Sequence, residues 1–137
     1  MRTVLLLCLV AGFLLSCGPS VTFTPNDENY VRRAKPAGSE IIVREDRIAR
    51  PHRVIGVIEA EGGRDATRPE LMELMIKKAR EIGADGLMLA DYDVDRDTYL
   101  ERHHTVVGRG PWRTHVVRTR PRTTVSKTAC AVAVIFN

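Results

Sequence analysis

TRPELMELMIKKAREIGADGLMLADYDVDRD, residues 67–97, passes from a helical period to a strand period across Gly83-Ala84-Asp85, and that passage decides the fold. Thr67 and Glu70 have the spacing of a capping box, in which the threonine hydroxyl accepts the N3 amide and the glutamate reaches back to the cap amide. Pro69 falls in the first turn, where its missing N–H has no intrahelical partner to lose. Leu71, Leu74, Met75, Ala79 and Ile82 recur at steps of three and four and form one apolar stripe, with the methionines as core filler; Lys77, Arg80 and Glu81 face water. Lys77, Lys78 and Arg80 lie toward the end where cations suit the helix dipole, and Gly83 supplies a left-handed C′ position. The pattern predicts a helix over about 68–82 and a strand over about 86–97. Upstream, HRVIGVIEAEG (52–62) is apolar on both faces around Val54, Ile55, Val57 and Ile58, as in a strand covered on two sides or central in a sheet. Strand, helix and strand in this order form a βαβ unit, with strands 53–60 and 86–94 parallel in one sheet.

Working outward, EIIVRED (40–46) is a further β-branched run. TYLERHHTVV and WRTHVVRT flank Gly108-Arg109-Gly110-Pro111, a turn signal that implies a hairpin. After Pro121 the chain ends in a strand, apolar on both faces from Ala131 to Phe136, that belongs in the sheet centre. The expected class is α+β: a two-layer α/β sandwich over residues 41–137, with a mixed sheet of four to six strands and one main helix. No internal repeat or low-complexity tract interrupts it.

The chain has 137 residues, enough for one domain with a leader and a linker. Arg2 and the apolar run from Val4 to Leu15 have the form of an export signal, too short to span a bilayer. Leu14-Leu15-Ser16-Cys17 resembles the lipobox of bacterial lipoproteins. The resemblance implies a signal peptide over 1–16, cleavage, and diacylglyceryl attachment and N-acylation at Cys17. More than one acyl chain makes such attachment durable. Position 18 is Gly and not the Asp that resembles an inner-membrane retention signal, which favours the outer membrane with the domain in the periplasm. Residues 17–40, polar and broken by Pro19, Pro25, Pro36 and Gly38, read as a lipidated end followed by a flexible tether.

Of three cysteines, Cys8 lies in the leader and Cys17 in the lipobox, so Cys130 stands alone in the domain, within the apolar run ACAVAVIF. No intramolecular disulfide follows, and a small core residue is the expectation for Cys130. The formal charge is +4, and removal of Arg2 with the leader leaves +3. The arginines near 109–122 suit anionic lipid headgroups or an acidic partner; an exported lipoprotein would not normally meet nucleic acid.

HRVIGVIEAEG, the helix end KKAREIGADGLMLADYDVD and a final small-residue-rich apolar strand are together similar to the YbjQ-like proteins. The same pattern occurs in outer-membrane stress-sensor lipoproteins of the RcsF-like group, which place a lipidated cysteine and a proline-containing tether before a small domain. The likeness covers about residues 52–95 and the last strand, through short motifs: an I-G-x-I strand and an A-x-x-I-G-A-D helix end. It implies a fold and an envelope setting. RcsF-like domains are stapled by disulfides and a heavy-metal role is attached to the YbjQ-like group, but a single domain cysteine carries neither over.

Asp91, Asp93, Asp95 and Asp97 imitate the start of an EF-hand loop, yet Arg96 stands where Gly is required and Arg102 where a bidentate Glu is needed. In one strand, Leu87 and Leu89 would share a face with the four aspartates, an acidic stripe continuing an apolar one. Arg113, Arg118, Arg120 and Arg122 are the cations expected to answer it across the strands, leaving any remainder for a partner. His103, His104 and His115 are the alternative metal ligands, with Asp97 or Glu101 nearby. There is no nucleophile elbow, phosphate loop or HExxH, and Asp65 and Glu70 oppose an anion at the helix N-terminus. The expectation is therefore a non-catalytic, cofactor-free envelope module for interaction or stress sensing. Its partners would be the membrane through its lipid and an envelope protein, with homo-oligomers through sheet edges also open; a periplasmic metal- or ligand-binding module is the other reading.

Overall fold

The computed structural model describes residues 18–137; the expected signal peptide over 1–16 and the expected lipidation site Cys17 lie outside the described residues. The fold is α+β, one helix on a five-stranded mixed sheet: β1 (Ser20–Pro25), β2 (Ile42–Val43), β3 (His52–Gly62), α1 (Arg68–Ile82), β4 (Gly86–Val107) and β5 (Thr114–Phe136). The strand order is β1-β3-β5-β4-β2. β3 and β4 each run antiparallel to β5, so they are parallel to one another with the C-terminal strand between them. That places Ala129, Ala131 and Ala133 in the sheet centre, as their apolar surroundings predict.

The helix begins where the capping box places it. Both halves of the box form: Thr67 Oγ1 accepts from Glu70 N, and Glu70 Oε2 accepts from Thr67 N at 2.8 Å. Leu71, Met75, Ala79 and Ile82 are buried against Ile58, Ala60, Leu87 and the β5 alanines, and small residues there let the helix approach the sheet closely. Leu74 is only half-buried, so the stripe is narrower than its spacing implies. Burial of each large apolar side chain contributes about 1.5–3 kcal/mol.

The expected tether is not one over most of its length. Ser20–Pro25 pairs antiparallel with β3, from Ser20↔Glu61 to Pro25↔Gly56, and lays Val21 and Phe23 on the core. Residues 26–40 then close the C-terminal end of α1. Tyr30 Oη donates to Ile82 O at 2.7 Å, Lys35 N donates to Arg80 O at 2.8 Å, and Arg80 Nε donates to Ser39 O at 2.7 Å. The physical reason is the helix terminus itself, whose last carbonyls need donors from outside the helix. Arg80 is thus a clamp for this segment and does not simply face water. Gly83 takes φ 82°, and a Cβ there would stand 2.3 Å from Arg33 O, so this glycine lets the segment pass.

Two boundaries differ from their expectation. The run 40–46 yields only the two-residue β2, parallel to the start of β4, with Arg44 and Asp46 continuing as backbone partners of Leu87, Leu89 and Ala90. Pro121 does not begin a strand but sits inside β5 opposite Leu100. It is tolerated because β3 reaches β5 only as far as Lys127, leaving one edge of β5 unpaired there.

Candidate interaction surface

The aspartate stripe lies on the other side of the sheet from the one its strand period predicts. Leu89 takes φ 53°, and the β4–β5 register shifts between Met88↔Val132 and Asp91↔Cys130. This bulge sets two residues against one and reverses the alternation beyond it. Ala90 and Tyr92 therefore join Leu87 on the helix side, packed on the core. Asp91, Asp93, Asp95 and Asp97 share the opposite face with Met88, not with Leu87.

The expected neutralising ladder does not form either. The register sets Asp91 opposite Cys130, Asp93 opposite Thr128, Asp95 opposite Ser126 and Asp97 opposite Thr124. Arg122, Arg120 and Arg118 fall one to three alternate rungs further out, opposite Tyr99, Glu101 and His103, while Arg113 lies in the turn beyond the last rung. Arg122 Nε bonds Glu101 Oε2 at 2.9 Å, and none of the ion pairs among the described residues includes the four aspartates. Asp91 and Asp93 instead accept the amides of Tyr92 and Val94, each at 2.8 Å.

The same face gathers two further acids that the sequence did not single out. Glu59 lies opposite Cys130, and Glu61 opposite Thr128, from the β3 side. Two rungs thus read Thr22–Glu59–Cys130–Asp91 and Ser20–Glu61–Thr128–Asp93 across β1, β3, β5 and β4. On this face six exposed carboxylates alternate with hydroxyls and one half-buried thiol, and the apolar Val57, Val132 and Met88 continue it toward the other end of the sheet. The signal for the glutamates was their alternation with the buried Ile58 and Ala60 in β3. Cys130 is not a core residue: it sits in this face, and burial first, then Asp91 and Glu59, push its thiol above its ordinary value, against reactivity. The lower part of this side is closed by Ile48, which packs on Met88 and Val134.

The histidines separate. His103 shares a face with Glu101, whose Oε2 lies 3.1 Å from His103 Nε2. Slight burial raises the Glu101 carboxyl, but His103 and Arg122 outweigh it and hold it below its ordinary value. His104 and His115 belong to the other face, opposite Val117 and Val106. The trio is not brought together, and among the described residues no three His, Cys, Asp or Glu side chains gather as a metal site. The reason is the strand period, which sends adjacent His103 and His104 to opposite faces.

Past Lys127 and Val94 the hairpin leaves the sheet. From Asp95↔Ser126 to Val107↔Thr114 the two strands pair with each other for roughly 40 Å, at about 3.3 Å per residue. At the tip Gly108 has φ 116°, and a Cβ there would meet Trp112 O at 2.1 Å. Comparison with protein-family models, curated proteins and solved structures finds no match for this chain.

Proposed function

We propose that this chain is a lipid-anchored protein of the bacterial cell envelope, held in the outer membrane through Cys17, whose acidic sheet face binds a basic surface of an envelope protein in the periplasm. The reading is non-catalytic, and stress sensing is the use that the resemblance to YbjQ-like and RcsF-like proteins suggests. That resemblance rests on the I-G-x-I motif of β3 and the helix end at Gly83-Ala84-Asp85.

One observation carries the interaction reading: Glu59, Glu61, Asp91, Asp93, Asp95 and Asp97 share one exposed face without an ion pair among the described residues. Like charges on neighbouring rungs repel, so such a face gains most from an opposite charge brought from outside. The metal alternative loses support because His103, His104 and His115 do not converge.

The test is crosslinking in live cells with wild type, a Cys17→Ala form and an Asp91/Asp93/Asp95/Asp97→Asn form. Wild type is expected to capture a protein that the asparagine form, still folded, does not. A Cys17→Ala form that stays in the membrane fraction after a high-salt wash defeats the anchor, and capture unchanged in the asparagine form defeats the acidic face.

A further inference from the structure

The lipid and the hairpin arm leave the domain at the same end. β1 starts at Ser20, on one rung with Glu61, Thr128 and Asp93, and the next rungs of β4–β5 are the arm. Cys17 is three residues from Ser20, a reach of about 11 Å when fully extended. β1 and β5 are separated by one strand, so the arm rises roughly 10–15 Å to the side of Ser20 at about 4.8 Å per strand. It then runs some 40 Å past the level of Ser20. An arm pointing away from the bilayer would set the anchored end on the far side of the domain, and the eleven residues of β3 are roughly 35 Å long. Three residues do not bridge that height.

The composition of the arm says what it meets. Residues 98–122 hold Arg102, Arg109, Arg113, Arg118, Arg120 and Arg122 against the single carboxylate Glu101, a formal +5, more than the +4 of the whole chain. Six arginines exclude burial in hydrocarbon. The tip presents Val106, Val107 and Trp112, the last 84% exposed. Arginines with an indole at the end of a two-stranded ribbon match the headgroup layer, where anionic phosphates and a wet apolar boundary meet.

We propose that the β4–β5 arm is a second membrane contact, lying in the plane of the bilayer surface with its arginines on anionic lipid headgroups and Trp112 at the headgroup boundary. The proposal rests on the lipid anchor at Cys17. Arg118, Arg120 and Arg122 continue the aspartate face along the arm, and the strong twist of a two-stranded ribbon turns that face between arm and body, so the body's carboxylates need not lie against the same surface.

Trp112 is the only tryptophan, so its fluorescence reports the arm tip alone. The lipidated full-length protein, purified from membranes, is reconstituted into phosphatidylcholine vesicles with and without phosphatidylglycerol. With the anionic lipid, Trp112 emission is expected to shift to shorter wavelength and to be protected from acrylamide, and high salt is expected to reverse both. The unlipidated Cys17→Ala protein is expected to bind phosphatidylglycerol vesicles weakly and reversibly. There, an Arg109/Arg113/Arg118/Arg120→Gln form is expected to lose at least about a hundredfold in affinity, at about fivefold per arginine. Equal Trp112 emission on both vesicles overturns the arm contact. So does a blue shift that depends on protein concentration without vesicles, which would mean that the arm sits on another copy. If mass spectrometry finds no acyl groups on Cys17, the anchor reading fails instead, whatever Trp112 does.

Discussion

Asp85 joins three parts of the chain through one carboxylate. It follows the helix terminus, pairs with Lys35 of the N-terminal segment, and accepts the Phe136 amide at 2.8 Å through Oδ2. Burial raises its carboxyl, but the Lys35 and Phe136 hydrogen bonds outweigh burial and hold the group below its ordinary 3.8. A depressed folded pKa means that this contribution is fully present above the unfolded value and is lost as pH falls through the folded one. Stability is therefore expected to decline on acidification below about pH 4. Asp85→Asn keeps an acceptor for Phe136 but no charge for Lys35. The pair is about a quarter exposed, so we expect a loss of only about 1 kcal/mol at neutral pH, with a shallower acid limb in urea titrations. An acid limb identical to wild type would show that another carboxylate governs it. Leu89 offers a second test at the same scale. A non-glycine residue at φ 53° is strained by roughly 1–2 kcal/mol. Leu89→Gly removes that strain at a backbone-entropy cost of about 0.5–1 kcal/mol and should leave stability equal or slightly higher. Leu89→Val, β-branched, should lower it by about 1 kcal/mol or more. If both variants lose equally, the side chain matters for packing and the strain account is wrong.

Among the elements, α1 was legible to its ends because its signals are local. A capping box, an apolar period and a C-terminal glycine each act within a few residues. Removing one should show: Thr67→Ala leaves the Glu70 amide without its hydroxyl acceptor and is expected to lower stability by about 1 kcal/mol, read as a thermal midpoint lower by a few degrees. Met75→Ala, a cavity under the same helix, should cost about 2–5 kcal/mol. The central position of β5 was equally legible, since a run apolar on both faces has to be covered twice. Two things were not. β1 and the segment after it carry the composition of a linker, and what recruits them is the need of distant carbonyls at Arg80 and Ile82, which no window around residue 30 contains. The sidedness of the aspartates failed for a smaller reason. One extra residue at Leu89–Ala90 reverses the alternation, and nothing in a leucine announces a left-handed backbone. The arginines were read as partners from nearness in sequence, but the hairpin register places one thiol and three hydroxyls opposite the aspartates and the arginines further out.

At the scale of the whole molecule, charge and stability are divided between body and arm. The core lies among α1, β3, the inner half of β5 and the start of β4, and no residue beyond Tyr92 in β4 or before Ala129 in β5 belongs to it. A two-stranded ribbon alone is marginal in water, so the arm depends on the body while the body draws no apolar burial from the arm. Only a few polar ties reach its base, such as Arg64 Nη2 to Thr123 O at 3.0 Å. Replacing residues 99–122 by Asn-Gly, a pair suited to a tight hairpin turn between the facing residues Thr98 and Thr123, should therefore give a folded body with a thermal midpoint within a few degrees of wild type. The same deletion removes a formal +5 and turns the remaining chain from +4 to −1. The shortened protein should still be acylated at Cys17 and float with vesicles, but its unlipidated form should no longer bind phosphatidylglycerol. Capture of a partner through Glu59, Glu61 and the four aspartates should survive, because those rungs remain. A body that unfolds without the arm would show that the ribbon stabilises the sheet. If instead the folded body loses its partner together with the arm, recognition belongs to the ribbon, and the acidic face is not the binding surface.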